Sequence, residues 1–477
     1  MTSLEDPSIL YQNKDNTVLI IDIPTSIAQA QELNSFTADP REDTSPLDSL
    51  DSEPGRGVSR KHLLSSQPLE LPYPSSCEPK TEVARARLLE RVPPSERLFH
   101  DEIQLLLQSA LRDIENGYSG GQWCLPRRTS DEERTRTRKR GPESDHSALR
   151  KRSSGLLRDS STSKFALDDR DFASIRPPVI LSSTSINAFE SIAELDGVVK
   201  NPSSRAAILT IDSPDEGIDG ASSEYIIPPR SHFAHCTIPL SETQDSLPLE
   251  SPIPGLPPNE LFNLILLDPP WPNRSVRRSG HYHTHPYELL TQRLRNIFHV
   301  HAYHQSSSSK DTATLDPLHL NTNEISVAAI WITNSEKSRQ TAYEALTSTG
   351  FAIHEEWVWI KTTVDGQPII PLDGLWRKPY EILVIGRRTP VAASTSNESY
   401  ETGSRYLPKR RVIAAVPDVH SRKPNLKAVF ERVFFTSESS VESYAALEVF
   451  ARNLTAGWWA CGNEVLKFNA RECWVER

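Results

Sequence analysis

The chain has 477 residues, 37 prolines, 37% hydrophobic residues and a formal net charge of −10. It contains no apolar run near the roughly 20 residues of a membrane span, and its MTSLED start lacks the basic and apolar regions of a secretory signal. Its five cysteines (Cys77, Cys124, Cys236, Cys461, Cys473) show neither paired nor metal-ligand spacing, which argues against a disulfide scaffold and a zinc module.

The two halves differ. From Ser251 onward Lys+Arg outnumber Asp+Glu by 2, whereas the first 250 residues carry a net charge of −12, and eight of the nine tryptophans lie beyond residue 250. The second half can therefore bury a core, and much of the first cannot. Residues 1–94 are Ser/Pro/acid-rich with brief apolar islands such as 17–21, and read as disordered. Residues 95–117 read as an amphipathic helix capped by Ser95, with a stripe of Leu98, Ile103, Leu106, Leu107 and Leu111, ending at Gly117. Residues 118–165 read as a disordered basic linker. Its triplets 138–140 and 150–152, nine residues apart, match a bipartite nuclear-import signal recognised by the import machinery, in preference to an arm touching phosphates. That places the chain in the nucleus, with a cytoplasmic share as the alternative. Residues 166–250, with strand-like pieces at 206–211 and 225–227, read as a partly ordered extension of a catalytic domain spanning 251–477.

From residue 261 strands and helices alternate: strand 261–267, helix 286–298, strand 325–333, helix 335–348, strands 351–361 and 380–386, helix 424–434 with Pro424 at its start, and strand 445–451. This pattern predicts an α/β fold with a doubly wound, mostly parallel, Rossmann-like sheet. In such sheets ligands bind beyond the carboxyl ends of strands. The buried-strand pattern at 261–267 ends in Asp268-Pro269-Pro270-Trp271. The Asp268 carboxylate and the Pro269 carbonyl are acceptors suited to the two N–H donors of an adenine amino group. The prolines stiffen the loop and donate nothing, and Trp271 offers a face for a base, worth roughly 1–3 kcal/mol. Alone, the same four residues also fit a strand ending in a proline turn.

Residues 268–282 read DPPWPNRSVRRSGHY, and further blocks follow in order around them: YIIPPRSHF at 225–233, WVWIK at 357–361, KPYE at 378–381, HSRKP at 420–424, LEVFARNL at 447–454, and GW at 457 with GNEV at 462–465. Across about residues 205–475 the chain resembles the eukaryotic DPPW-type (MT-A) adenine-N6 methyltransferases, most of all the subgroup of methyltransferase-like protein four. The resemblance implies a circularly permuted methyltransferase sheet and S-adenosylmethionine as cofactor. It implies that Lys423, Arg452, Asn453 and Asn463 contact that cofactor, with Glu464 and Glu448 toward its ribose. It further implies a monomer methylating adenine in RNA, a small nuclear RNA in this subgroup, with DNA as the alternative polymer. Silent nucleic-acid-binding members have an altered DPPW; here it is intact. Arg274, Arg277, Arg278 and Lys361 are candidates for substrate phosphates. The alternating histidines at 281, 283 and 285 read as solvated loop residues in preference to metal ligands. Residues 303–323 and 389–407 depart from the family pattern as insertions.

Overall fold

The computed structural model describes residues 6–33, 61–74, 81–129, 177–212, 222–240, 251–272, 286–303, 325–374, 377–388, 407–437, 440–441 and 443–476. The two import triplets, the two insertions apart from their end residues Tyr303 and Leu407, Arg274, Arg277, Arg278 and the 281–285 histidines lie outside them.

The strand Leu264–Leu267 (β10, numbering strands in chain order) is buried along its whole length. Leu264 and Leu266 face one hydrophobic cluster, while Ile265 and Leu267 face the other. A strand apolar on both faces belongs in the middle of a parallel sheet covered on both sides, and β10 lies there. To one side the order runs β11 (Ser326–Ile332), β13 (Tyr380–Arg388), β12 (Ala352–Lys361), β14 (Lys409–Ala415), β2 (Val18–Ile21), β1 (Ile9–Gln12). To the other it runs β17 (Ala446–Val449), β18 (Trp459–Gly462), β9 (His232–His235), β6 (Val198–Lys200), β4 (Val179–Ile180). The five strands β11-β10-β17-β18-β9 are parallel throughout. Antiparallel joints occur only at β13, the β1–β2 hairpin and β6–β9 within this sheet. Three smaller sheets pair β5 (Asn187–Phe189) with β7 (Ala207–Asp212) and β8 (Ser222–Ile227), β3 (Lys61–Leu63) with β19 (Trp474–Glu476), and β15 (Thr436–Ser437) with β16 (Ser440–Val441).

Helices cover both faces, as a doubly wound sheet requires. One cluster includes Ile103, Leu107 and Ile114 of the helix Pro94–Gly117, Leu290, Leu294 and Ile297 of Tyr287–His301, and Ala342 and Leu346 of Glu336–Thr347. The other includes Ile23 and Ile27 of Ile23–Ala30 and Val429 and Phe430 of Lys427–Phe430. No helix of the described residues is long and apolar enough to cross a membrane.

Four expectations need correction. First, residues 1–94 include ordered parts of the catalytic sheet. The apolar island at 17–21 becomes β2, which extends the sheet by parallel pairing of Val18, Leu19 and Ile20 with Val412, Ile413 and Ala414 of β14. An edge strand left unpaired exposes a row of backbone donors and acceptors, and β2 satisfies those of β14. The helix Ile23–Ala30 then buries Ile23 and Ile27 completely, and the helix Glu82–Arg91 also lies within this range. Second, the boundary at 251 cuts through the sheet, since β4, β6 and β9 come from the supposed extension; likewise residues 118–129 are ordered parts of the fold, not linker. Third, Ser95 does not cap. The helix begins at Pro94, with its fixed φ at the first helical position, and the Ser95 hydroxyl instead donates to Glu336 at 2.6 Å. Leu98 is exposed at 65%, while Ile103, Leu107 and Leu111 are buried as the stripe requires. Fourth, Pro424 precedes its helix by three residues. The Asn425 side chain accepts from the Lys427 N–H and donates to Thr455, which holds residues 424–426 in a loop.

Candidate active site

From β10 the chain crosses to β11 on one side and only much later returns to β17 on the other. Loops leaving the two carboxyl ends part there, opening the crevice in which doubly wound sheets bind ligands. Asp268 is the first residue beyond β10, and its own N–H bonds the Val449 carbonyl at 3.2 Å, pinning it against the end of β17. The crevice is lined by Asp268, Lys423, Glu448, Phe450, Arg452 and Asn453, among others.

Charges converge on Asp268. The Lys423 ammonium lies 2.9 Å from both carboxylate oxygens, and the Arg452 guanidinium donates to Oδ2 at 2.9 Å. Lys423 also meets Glu381 at 3.2 Å, which in turn pairs with Lys361 at 2.6 Å. Arg452 reaches Glu464 at 3.0 Å, and Glu464 meets Lys467 at 2.6 Å. Burial alone would lower the Lys423 ammonium, but Asp268 and Glu381 outweigh it and its pKa is raised. Burial likewise opposes ionisation of Glu381, yet Lys423 and Lys361 hold it at about 2. Glu448, beside them on β17, has no such partner at hydrogen-bond distance among the described residues. Its burial, reinforced by the Asp268 charge, pushes it to about 8. The site thus carries a neutral acid beside an ionised one near neutral pH, the separation of roles that functional sites use.

The backbone is constrained where it meets the crevice. Phe450 has φ +61° and Ser421 has φ +71°. Left-handed values are costly for residues with side chains, by roughly 1–3 kcal/mol, and gather at ligand sites. Behind Phe450, Gly462 leaves room that a Cβ would fill, 3.2 Å from the Phe450 Cα.

The predicted residues are placed as follows. Asp268, Lys423, Arg452 and Glu448 meet in the crevice, with Glu464 behind Arg452. Asn453 lines it. Asn463 stands exposed just beyond β18, its carbonyl bonded to His235 Nε2 at 3.1 Å. The Pro269 carbonyl already accepts the Trp271 N–H at 2.9 Å. The Trp271 ring, expected as an open stacking face, is 6% exposed. Its indole N–H donates to the Trp331 carbonyl at 2.7 Å, and the ring packs against Tyr287, which closes the loop onto the sheet. Lys361, expected at a phosphate, is engaged by Glu381 and lies over the Trp359 ring, because β12 and β13 set Trp359 opposite Glu381. Glu381 itself was missed as a site residue. Its only sequence signal is its place in KPYE at the start of a strand, and the ionic array that defines it needs the fold.

Residues 262–464, the span from β10 to the far side of the crevice, match the MT-A70 family model. The N6-methyladenosine RNA methyltransferase MTA1 of Cryphonectria parasitica is 30% identical, covering 99% of this chain and 95% of that one. The chain belongs to the MT-A70 family of adenine-N6 methyltransferases. The N(6)-adenine-specific methyltransferase METTL4 of Mus musculus is 30% identical over 60% of this chain and 51% of its own. The DNA N6-methyl methyltransferase of Caenorhabditis elegans is 27% identical over 43% and 46%. Beyond the family match, the MTA1 likeness takes in the N-terminal residues that the sheet incorporates.

Proposed function

We propose that this MT-A70 enzyme transfers the methyl group of S-adenosylmethionine to the N6 amine of an adenine in RNA, with a small nuclear RNA as the target, and that it works as a monomer in the nucleus. The observation that carries the reading is the convergence of Lys423 and Arg452 on Asp268 at the switch point of the sheet.

The donor set suits the cofactor. Lys423 and Arg452 are cations of the type that bind a carboxylate, Arg452 with a fork geometry. Glu448, neutral near pH 7, can accept from or donate to ribose hydroxyls, and Asn453 adds an amide. S-adenosylmethionine supplies an activated sulfonium methyl. The chain's own residues then orient the amine. Once a ligand carboxylate takes over Lys423 and Arg452, the Asp268 oxygens are open to accept an amine N–H. The nitrogen lone pair is thereby aimed for in-line displacement, with no covalent enzyme intermediate, and the amine proton leaves to solvent after transfer. Orientation of this kind supplies much of the barrier reduction. The target base has to be unstacked to reach the crevice.

RNA is favoured because the relative aligned over nearly the whole chain is named an RNA methyltransferase. DNA adenine is the second reading, supported by the relative named for DNA. A labelled-methyl assay on structured RNA, single-stranded RNA and DNA, with wild type beside Asp268→Asn, tests both. Transfer to RNA alone supports the proposal, transfer to DNA alone replaces it with the second reading, bound cofactor with no transfer to any polymer points to a missing partner or a different target, and no cofactor binding at all favours a silent binding partner. The nuclear address rests on the triplets 138–140 and 150–152; a reporter carrying residues 128–165, with each triplet changed to alanine, tests it.

A further inference from the structure

Two stretches of the N-terminal half, 61–74 and 123–129, run across the loops at the carboxyl edge of the sheet. Leu64 bridges to Arg128, and the Ser65 N–H bonds the Arg128 carbonyl at 2.8 Å, so the stretches lie side by side. They hold two loops. Val364 donates to the Leu69 carbonyl, Tyr73 donates to the Ile369 carbonyl, and Trp123 donates to the Val364 carbonyl. At the second loop, residues 416–423, Arg127 donates to the Val416 and Pro417 carbonyls, both at 2.7 Å.

That second loop carries Lys423, and at its centre is Asp418, whose side chain is wholly buried. The Asp418 carboxylate accepts from the Ser66 N–H at 2.8 Å, the Ser66 hydroxyl at 3.2 Å and Arg422 at 2.6 Å, with Arg127 at 3.8 Å. Arg422 also donates to the Leu64 carbonyl at 2.9 Å and lies over the Phe468 ring. The turn from Val419 to Arg422 closes with a 3.0 Å backbone bond and forces Ser421 to φ +71°. A strained turn persists only when its surroundings over-determine it. Here the surroundings are one buried carboxylate and two guanidiniums, tied to residues more than 280 positions away in sequence.

We propose that Asp418, Arg127 and Ser66 form a positioning lock that sets the Ser421–Lys423 turn so that the Lys423 ammonium enters the crevice. None of the three lines the crevice; they act through Arg422 and the turn. Removing one partner of a buried ionic cluster leaves the others uncompensated, so the turn relaxes and Lys423 loses its place. The inference rests on the reading of Lys423 as a cofactor contact.

The test is calorimetric titration of full-length protein with S-adenosylhomocysteine, beside RNA binding and melting temperature. Asp418→Asn should weaken the S-adenosylhomocysteine Kd at least about tenfold, with RNA affinity within about twofold. Arg127→Gln should do the same, and Arg127→Lys should restore part of the loss. Glu355→Gln is the control, since it breaks a comparably buried pair with Arg411 toward the amino end of β12, away from the Asp418 loop; it should lower the melting temperature and leave Kd unchanged. A folded Asp418→Asn with wild-type Kd overturns the lock, as does an equal loss in Glu355→Gln. Should Asp418→Asn fail to fold, the Arg127 pair decides by the same criterion. Wild type that does not bind S-adenosylhomocysteine overturns the cofactor reading itself, which the variants alone do not.

Discussion

Lys423 covers Asp268: its ammonium bonds both carboxylate oxygens at 2.9 Å, and Arg452 donates to Oδ2 at the same distance. The carboxylate expected to hold the substrate amine is therefore occupied by the two cations expected to hold the cofactor. One anion has to be exchanged for another before an amine can approach, which orders the binding events. S-adenosylhomocysteine should raise the affinity for an adenine-containing RNA. Methylthioadenosine, which lacks the carboxylate, should not. Titration of RNA in the presence of each ligand checks this, and equal enhancement by both would sink the exchange.

Asp268→Asn keeps the shape of the side chain and removes the charge. Methyl transfer should fall at least about a hundredfold, the scale of losing reactant orientation. S-adenosylhomocysteine affinity should stay level or improve, because Lys423 and Arg452 lose an internal competitor. Lys423→Met should instead weaken that affinity by about 1.5–3 kcal/mol, the range for hydrogen bonds to charged groups. Binding and initial-rate measurements on the two variants separate the roles.

Glu448 makes stability fall with pH. Its folded pKa of about 8 lies above its ordinary 4.5. Between these values the folded protein binds more protons than the unfolded chain, so stability declines as pH rises through that window. Glu381 acts oppositely and lower, its value of about 2 giving stability that is lost as pH falls from 4.5 toward 2. Glu448→Gln should remove a slope of up to about 1.4 kcal/mol per pH unit between pH 5 and 8. Denaturant melts across that range check it; an unchanged slope would show that Glu448 ionises freely.

Deleting residues 1–33 should damage the fold. It removes β2 from the edge of β14 and, with it, the buried side chains Leu19, Ile21, Ile23 and Ile27, uncovering their cluster partners Ile413, Ala415, Val429 and Phe430. It also leaves the Arg411–Glu355 pair without the Asn16 carbonyl to which Arg411 donates. A loss of several kcal/mol, or aggregation through the exposed edge, is expected in denaturant titrations and light scattering. A truncated protein as stable as the full chain would return the segment to the status of a dispensable tail.

The central elements of the fold can be read from the amino-acid pattern alone. The apolar run before Asp268 could only be a strand buried on both faces, and β10, β11 and β12 lie within two or three residues of their predicted spans. Asp268 stood out because it follows a buried strand, where ligands bind in this fold class, whereas Lys423, Arg452 and Glu448 were singled out through the family resemblance. Tertiary structure decided what local pattern cannot encode. Four apolar residues at 18–21 carry no periodicity long enough to identify a strand, and β2 exists because its partner lies nearly 400 residues away. Trp271 was read as a platform because an isolated aromatic in a loop has an open face; in the fold its N–H finds the Trp331 carbonyl and the ring is covered. Asp418 and Glu381 carry no local signal of their partners, since burial and the cations that define them come from other elements. Short segments and charged side chains take their state from long-range partners, and only the folded chain brings those partners within reach.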